Sequence, residues 1–138
     1  MCGIVGIFDM RQMRDIDLQL LTRMNETQHH RGPDEGEVYT EPGVGFGHRR
    51  LSVIDIASGQ QPMFNAAGDV GVVFNGEIYN FPELTAELQE LGYVFRTKSD
   101  TETIVHAWSA WGEECVHKLR GMFAICVWDR SKQTMLMA

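Results

Sequence analysis

The sequence opens with MCGIVGIF at residues 1–8, and this stretch decides how the fold is interpreted. Residues 4–8 are apolar, and glycine stands at positions 3 and 6, a pattern that predicts a short buried strand with close backbone approach. Cys2 directly precedes this strand. Removal of the initiator methionine, which the small residue after it permits, would give Cys2 a free α-amine.

An N-terminal cysteine holds two reactive groups of similar proton affinity. The reference pKa is about 7.7–8.0 for an α-amine and about 8.5 for a thiol. The amine can therefore take the thiol proton near neutral pH, and no histidine is required. The simpler alternative is a cysteine that merely follows an initiator methionine. If Met1 is retained, Cys2 has no free amine and the chain is an inactive form, which an intact-mass measurement would reveal.

The other two cysteines predict packing rather than chemistry. Cys126 lies within the apolar run at residues 122–128 and is expected in the core, and Cys115 lies in a predicted short helix. The count of three is odd and no C-x-x-C spacing occurs, so neither a disulfide framework nor a thiolate zinc site is indicated. The five histidines lack ligand-like spacing, and we expect no metal site.

Composition excludes several classes of protein. With 138 residues, 43% hydrophobic and 22% charged, the chain is expected to form one soluble globular domain. Its net charge of -7 does not suit a nucleic-acid binder. No apolar stretch approaches the roughly 20 residues of a membrane helix, and the N-terminus lacks the basic region of a signal peptide. We therefore expect no nucleic-acid or membrane partner and a cytoplasmic location.

Hydrophobic periodicity predicts an α+β fold, because strands and helices mix without strict βαβ alternation. Helices are predicted from Asp17 to about His29, from Asn80 to Gly92 and from Ser99 onward; the last two begin with capping-box spacing. Beyond residues 4–8, strands are predicted at residues 38–39, 44–48, 51–56, 69–74, 94–96, 122–128 and 134–137. The apolar residues at helical spacing are Leu18, Leu21, Met24, Leu84, Leu88, Leu91, Ile104, Val105, Trp108 and Trp111.

Five blocks follow one another along the chain: residues 1–6 (MCGIVG), 30–34 (HRGPD), 48–55 (HRRLSVID), 75–80 (NGEIYN) and 99–102 (SDTE). Together they resemble the class II glutamine amidotransferase domain of the asparagine synthetase family, which belongs to the N-terminal-nucleophile hydrolases. Each block alone is weak evidence, whereas five in register are specific. The resemblance covers the whole sequence and implies an αββα sandwich of antiparallel sheets, with Cys2 at the start of a central strand.

The resemblance also implies roles for residues around a glutamine substrate. Arg50 is expected to bind the α-carboxylate, and Arg49 is expected to be an ordinary surface arginine in a weak ion pair. Asp100 and Glu77 are the implied acceptors for the α-ammonium, although Asp100 also suits a helix start. The Val53 carbonyl is the expected backbone contact.

Attack by the thiolate would place negative charge on the carboxamide oxygen of glutamine. The implied oxyanion hole combines the Asn75 side-chain amide and the Gly76 N–H at the end of the strand predicted for residues 69–74; such a donor is typically worth about 10²–10³ in turnover. An isolated Asn-Gly pair is more simply a hairpin turn. Ammonia would leave, and water would hydrolyse the γ-glutamyl thioester. The loop at residues 31–34 is expected to have a structural role beside Cys2.

The resemblance also implies partners and cofactors. Asparagine synthetases carry a second domain that activates aspartate with ATP and Mg²⁺ and receives ammonia through a tunnel. Nothing in this sequence resembles the pyrophosphatase loop of that domain, so the resemblance supports only the ammonia-releasing half-reaction, which needs no cofactor. The glutaminase domain also normally continues past position 138. We therefore expect a truncated fold, incomplete at its C-terminus, whose exposed strand edges favour a homo-oligomer or strand exchange between copies.

Two other interpretations stay open. One is the glutaminase of another class II amidotransferase, such as a glucosamine-phosphate or purine-pathway synthase, or of a relative that amidates a different carboxylate. The other is a glutamine-binding or interaction module without turnover. Ammonia release by the processed chain, compared with its Cys2→Ala variant, distinguishes an enzyme from a binding module.

Overall fold

The computed structural model describes residues 2–51 and 59–138, and the chain divides into two compact units, residues 1–52 and 53–138. Each unit combines an antiparallel sheet with one or more helices. The prediction of an α+β fold built from antiparallel sheets is therefore confirmed. In the described part of the chain, no helix is long and apolar enough to cross a membrane.

The first unit contains three strands and one helix. Strands β1 (Gly3–Phe8), β2 (Glu35–Glu41) and β3 (Val44–Arg50) pair in the order β1-β3-β2. Helix α1 (Leu18–Glu26) begins after Asp17, whose side chain accepts a hydrogen bond from the Leu20 N–H as an N-cap. The central strand β3 is buried along its whole length.

Helix α1 approaches β3 closely. A Cβ on Gly47 would lie 3.1 Å from the Asn25 side chain, so glycine leaves room for the helix. Asn25 Nδ2 donates to a carbonyl of β2 and to one of β3, both at 3.3 Å. The apolar spacing predicted for this helix is only partly right, because Leu21 is fully buried but Leu18 is exposed. The buried position one turn after Leu21 belongs to the polar Asn25.

The second unit contains four strands and three helices among its described residues. Strands β4 (Met63–Phe64), β5 (Val70–Ile78), β6 (Gly121–Asp129) and β7 (Thr134–Met137) pair in the order β4-β5-β6-β7. The helices are α2 (Phe81–Glu90), α3 (Asp100–Trp111) and α4 (Cys115–Lys118), with a 3₁₀ turn at Gly112–Glu114. The short strand β4 begins at Met63, which the sequence predicts as loop.

One face of β5 and β6 forms the core of the second unit together with the helices. The register pairs Val72 with Val127 and Phe74 with Ile125, which places apolar side chains on the same face. The main buried residues of this core are Val70, Val72, Phe74, Ile78, Leu84, Leu88, Ile104, Val105, Ala107, Trp108, Ile125 and Val127. Five of the residues at helical spacing in α2 and α3 are thus buried as expected, whereas Leu91, beyond the end of α2, is exposed.

The strand predicted at residues 94–96 is absent. Tyr93 and Phe95 pack their rings against His106, with centroid distances of 5.2 and 4.6 Å. The N–H groups of Arg96 and Thr97 donate to the Glu102 carboxylate at 2.9 and 2.7 Å. The backbone here therefore satisfies its donors with a helix side chain rather than with a neighbouring strand.

The two predicted capping boxes also differ from the structure. Ser99 caps α3 by accepting from the Thr101 N–H at 3.2 Å, but Glu102 bonds the upstream loop instead of completing the box. Asn80 precedes α2 without capping it, because its side chain bonds the Lys118 carbonyl and the Arg120 N–H, at 2.9 and 2.8 Å. Residues 52–56 of another predicted strand lie outside the described residues.

A buried hydrogen bond ties α3 to β6. Trp108 Nε1 donates to Asp129 Oδ2 at 2.8 Å, and both residues are almost fully buried. Asp129 Oδ1 accepts from the Ser131 hydroxyl at 2.7 Å and from the Lys132 N–H at 3.0 Å. Burial alone would raise the pKa of Asp129, but these hydrogen bonds, led by that of Ser131, outweigh it and lower the pKa to about 2.

We expect Asp129→Asn to lower the free energy of unfolding by about 1–3 kcal/mol above pH 4, because it removes a charged acceptor from buried donors. The folded pKa of about 2 lies below the ordinary value of 3.8, so ionised Asp129 stabilises the fold above pH 3.8. That contribution is lost as the pH falls from 3.8 towards 2. The free energies of unfolding of the variant and the wild type should therefore become equal in this range.

Urea titrations followed by tryptophan fluorescence measure this difference, because all three tryptophans lie in the second unit. Asp15→Asn, the same change at an exposed carboxyl, is the control. A difference between wild type and Asp129→Asn that does not vary with pH would contradict the assignment.

Candidate functional site

Cys2 lies where β1 begins and β3 ends. Its Sγ atom is 3.4 Å from the Leu51 backbone nitrogen and 3.8 Å from the Leu51 carbonyl oxygen. The register pairs Gly3 with Arg49, so Cys2 stands opposite Arg50 at the next step. Cys2 is half-buried, whereas the other two cysteines of the chain are buried.

The loop at residues 31–34 lies against the same strand ends. Arg31 Nε donates to the Cys2 carbonyl at 3.2 Å, and the Asp34 N–H donates to the Arg50 carbonyl at 3.1 Å. A Cβ on Gly32 would overlap the backbone where Arg49 joins Arg50, so only glycine fits there. The loop thus lies beside Cys2, as predicted.

Arg49 is not the surface residue that the sequence analysis expects. Its side chain is 9% exposed, its Nε donates to the Gly32 carbonyl at 3.0 Å, and its Nη1 lies 3.2 Å from a Glu26 carboxylate oxygen. Strand alternation turns Arg49 towards the face of the sheet that packs on α1. Gly36 leaves room for the guanidinium there, because a Cβ at that position would overlap Arg49 Nη1.

Arg50 faces the opposite side of the sheet, the side that carries Cys2. Its side chain is 5% exposed, and its Nη1 lies 3.2 and 3.0 Å from the two carboxylate oxygens of Glu35. Glu35 stands directly opposite Arg50 in the β2–β3 register. No pattern in the sequence predicts Glu35, because only the pairing of β2 with β3 brings this carboxylate to Arg50.

Asn75 and Gly76 lie inside β5 and not at a turn. The strand continues to Ile78 and pairs with β6 through both residues. The strand end predicted after position 74 is therefore wrong. Gly76 has φ 151°, and a Cβ there would overlap the Met122 carbonyl oxygen, so β5 follows this path only with glycine. The glycine that suggests a turn in the sequence instead permits close backbone approach within the sheet.

The side chain of Asn75 has an unusual environment. Its Oδ1 atom is buried and accepts no hydrogen bond from any described residue. Leaving such a buried acceptor unsatisfied typically costs about 1–3 kcal/mol. The neighbouring Gly76 and Glu77 are exposed. Asn75 thus lies at the boundary between a buried strand and an accessible surface.

Asp100 and Glu77 interact electrostatically. Asp100 is the first residue of α3 and is almost fully buried, and its Oδ2 accepts from the Ile78 N–H at 3.1 Å. Desolvation by burial is the main reason that the pKa of Asp100 is raised, and the negative charge of Glu77 raises it further. Ser99 is the N-cap, so the Asp100 carboxylate serves to join the helix start to β5.

The predicted site residues fall into two groups. Cys2 and Arg50 lie together in the first unit, and Asn75, Gly76, Glu77 and Asp100 lie together in the second. Val53 lies outside the described residues. Within residues 2–51 and 59–138, no cluster of three or more His, Cys, Asp or Glu side chains could hold a metal ion.

Comparison with known proteins identifies the family. The sequence model of the glutamine amidotransferase domain matches residues 1–138. Asparagine synthetase (glutamine-hydrolysing) 3 of Bacillus subtilis (strain 168) is 41% identical over 140 residues, which cover 100% of this chain and 23% of that protein. Asparagine synthetase (glutamine-hydrolysing) 2 of Oryza sativa subsp. japonica is 35% identical over 138 residues, again 100% and 23%. The chain thus spans about a quarter of the length of these relatives.

A solved structure shares the fold. Glutamine phosphoribosylpyrophosphate amidotransferase from B. subtilis, complexed with ADP and GMP, matches 99% of this chain and 37% of that one, with a TM-score of 0.68 and 20% identity. At this identity the likeness concerns the fold alone. The family match and the relatives at 35–41% identity cover the whole sequence, and the chain therefore belongs to the class II glutamine amidotransferase domains, in the group of the glutamine-hydrolysing asparagine synthetases.

Proposed function

We propose that this chain hydrolyses glutamine to glutamate and ammonia, with Cys2 as the nucleophile. The observation that carries the proposal is the position of the Cys2 sulfur, half-buried at a strand end beside the Leu51 backbone. Burial raises the pKa of Cys115 to about 11 and that of Cys126 to about 12, which keeps both thiols protonated and inert. Cys2 is the cysteine that a substrate can reach.

The reaction needs two chemical steps at Cys2. After removal of Met1, the α-amine accepts the thiol proton and the sulfur attacks the carboxamide carbon. The C–S bond forms as the carbonyl electrons move onto oxygen. When this oxyanion collapses, the C–N bond breaks, and the proton held by the amine goes to the departing ammonia. Water then adds to the thioester, the C–S bond breaks, and glutamate leaves with the thiol restored.

Residues of opposite charge are proposed to bind the two charged groups of glutamine. Arg50 is proposed to bind the α-carboxylate, because a guanidinium suits that anion. Glu77 and Asp100 are proposed to bind the α-ammonium. Their mutual repulsion, which contributes to the raised pKa of Asp100, supports this role, since a bound cation would relieve it.

The developing oxyanion requires hydrogen-bond donors. We assign them to the Asn75 side-chain amide and the Gly76 N–H, with the Val53 carbonyl as a further substrate contact. Asn75 lies where the buried part of β5 meets the exposed residues Gly76 and Glu77, which supports a role for this side chain in binding a ligand. None of these roles requires a cofactor.

The longer relatives are asparagine synthetases, and this chain spans about a quarter of their length. We propose that the whole protein uses the released ammonia for ATP- and Mg²⁺-dependent amide synthesis in a separate synthetase part. The ammonia-releasing half-reaction belongs to the chain described here.

Incubation of the processed chain with glutamine should release ammonia and glutamate in equal amounts, and Cys2→Ala should reduce both to background, because the nucleophile is lost. Intact mass establishes that Met1 has been removed. As an internal control, an electrophilic glutamine analogue should label Cys2 in preference to Cys115 and Cys126. Equal background release by wild type and Cys2→Ala would reject the enzyme and favour a glutamine-binding module.

Asp100→Asn should raise the KM for glutamine about tenfold with a smaller effect on kcat, because the α-ammonium loses an anionic partner worth roughly 1.4 kcal/mol. The amide oxygen of asparagine can still accept the Ile78 N–H, so the fold should persist. Steady-state kinetics measure the effect, with Glu83→Gln on the exposed face of α2 as the control. An unchanged KM would remove Asp100 from the binding site.

A further inference from the structure

The side chains of Glu35, Arg50 and Cys2 form a row across the sheet of the first unit, at the end where β3 stops. Directly paired residues of neighbouring strands share a face, so Glu35 and Arg50 lie on the same side of the sheet. Cys2 falls on that side at the next step of the β1–β3 register. The cation proposed to bind the substrate carboxylate thus stands between a carboxylate of the protein and the nucleophile.

We propose that Glu35 is a built-in counter-ion that neutralises Arg50 and thereby lowers its affinity for the α-carboxylate of glutamine. The inference rests on the proposed function, because it gives Arg50 the role of carboxylate ligand. Arg50 Nη1 contacts both Glu35 oxygens, at 3.2 and 3.0 Å, so this carboxylate engages one nitrogen of the guanidinium.

Burial explains why a counter-ion is needed. The Arg50 side chain is only 5% exposed, and a guanidinium so far removed from water is costly without an opposite charge. The Glu35 side chain is 32% exposed, so the pair is open to solvent on the side of the carboxylate. Glu35 therefore stabilises the buried cation without being sealed in the core.

The same pairing has a consequence for binding. An incoming α-carboxylate meets an almost neutral ion pair instead of an isolated cation, and it is repelled by the Glu35 charge. Glutamate, the product, carries the same α-carboxylate and meets the same repulsion. Glu35 thus weakens the binding of both ligands, which favours turnover over tight retention of the product.

A purely orienting role for Glu35 predicts the opposite sign. If Glu35 only held Arg50 in position, its neutralisation would loosen the guanidinium and weaken glutamine binding. The direction of the change in affinity therefore separates a counter-ion that competes with the substrate from a structural partner.

The test measures equilibrium binding without turnover. In a Cys2→Ala background, calorimetry gives the Kd of L-glutamine for the parent chain and for Glu35→Gln. The neutral, nearly isosteric side chain should lower the Kd about threefold to tenfold, the range expected for a partly exposed charge interaction. The α-amide of glutamine lacks the α-carboxylate, so its Kd should not change.

Two variants control for the fold. Glu37 lies two residues further along the same strand, on the same face, and is exposed. Glu37→Gln should therefore leave the Kd unchanged. Glu35→Asp keeps the charge and should stay near the parent affinity. Weaker or unchanged glutamine binding in Glu35→Gln, or equal gains for glutamine and its α-amide, would overturn the inference. If the Cys2→Ala chain binds no glutamine, the proposed function itself fails.

Discussion

Two arginines that are adjacent in sequence point to opposite faces of β3, and the chemistry of the first unit depends on this alternation. Arg49 turns towards α1, where it holds the Gly32 carbonyl and pairs with Glu26. Arg50 turns to the face that carries Cys2 and pairs with Glu35. A shift of one residue in the register would exchange their environments. Strand pairing therefore decides which guanidinium packs against α1 and which lies on the face of Cys2.

The second unit positions its polar residues by close backbone approach. Gly76 lets β5 pass close to the Met122 carbonyl, and Gln61 Oε1 accepts from the N–H of Phe74 in the same strand at 2.6 Å. Asp100 joins the start of α3 to the end of β5 through the Ile78 N–H. Glu77 is thus held by the pairing of β5 with β6, and Asp100 by the start of α3 and the Ile78 N–H.

The charged groups of the two units differ in how far each is neutralised within its own unit. The cation Arg50 already has an anionic partner, whereas the buried Asp100 has an anion, Glu77, as its charged neighbour. In the proposed function, glutamine supplies the missing positive charge through its ammonium group and competes with Glu35 through its carboxylate. A ligand without an ammonium group would leave the neighbouring carboxylates Glu77 and Asp100 without a compensating positive charge.

Local patterns in the sequence predict many of the helices and strands. The apolar run of β1, the helical spacing of α3 with its Ser99 cap, and the apolar run of β6 each lie within a few residues, and the structure has an element at each place. The five blocks, taken together, also identify the family, since their order is a property of the whole sequence.

Tertiary structure alone decided the remaining features. The sequence by itself determined that Arg50, Asn75, Gly76, Glu77 and Asp100 were candidates, and that Cys2 stood apart from the other cysteines. It did not determine the burial of Arg49, the continuation of β5 through Asn75 and Gly76, or the pairing of Glu35 with Arg50. Each of these depends on contacts between strands, or between a strand and a loop, that are distant along the chain. A local pattern indicates which secondary structure a residue favours, but the register of the sheet determines which side chain lies opposite it.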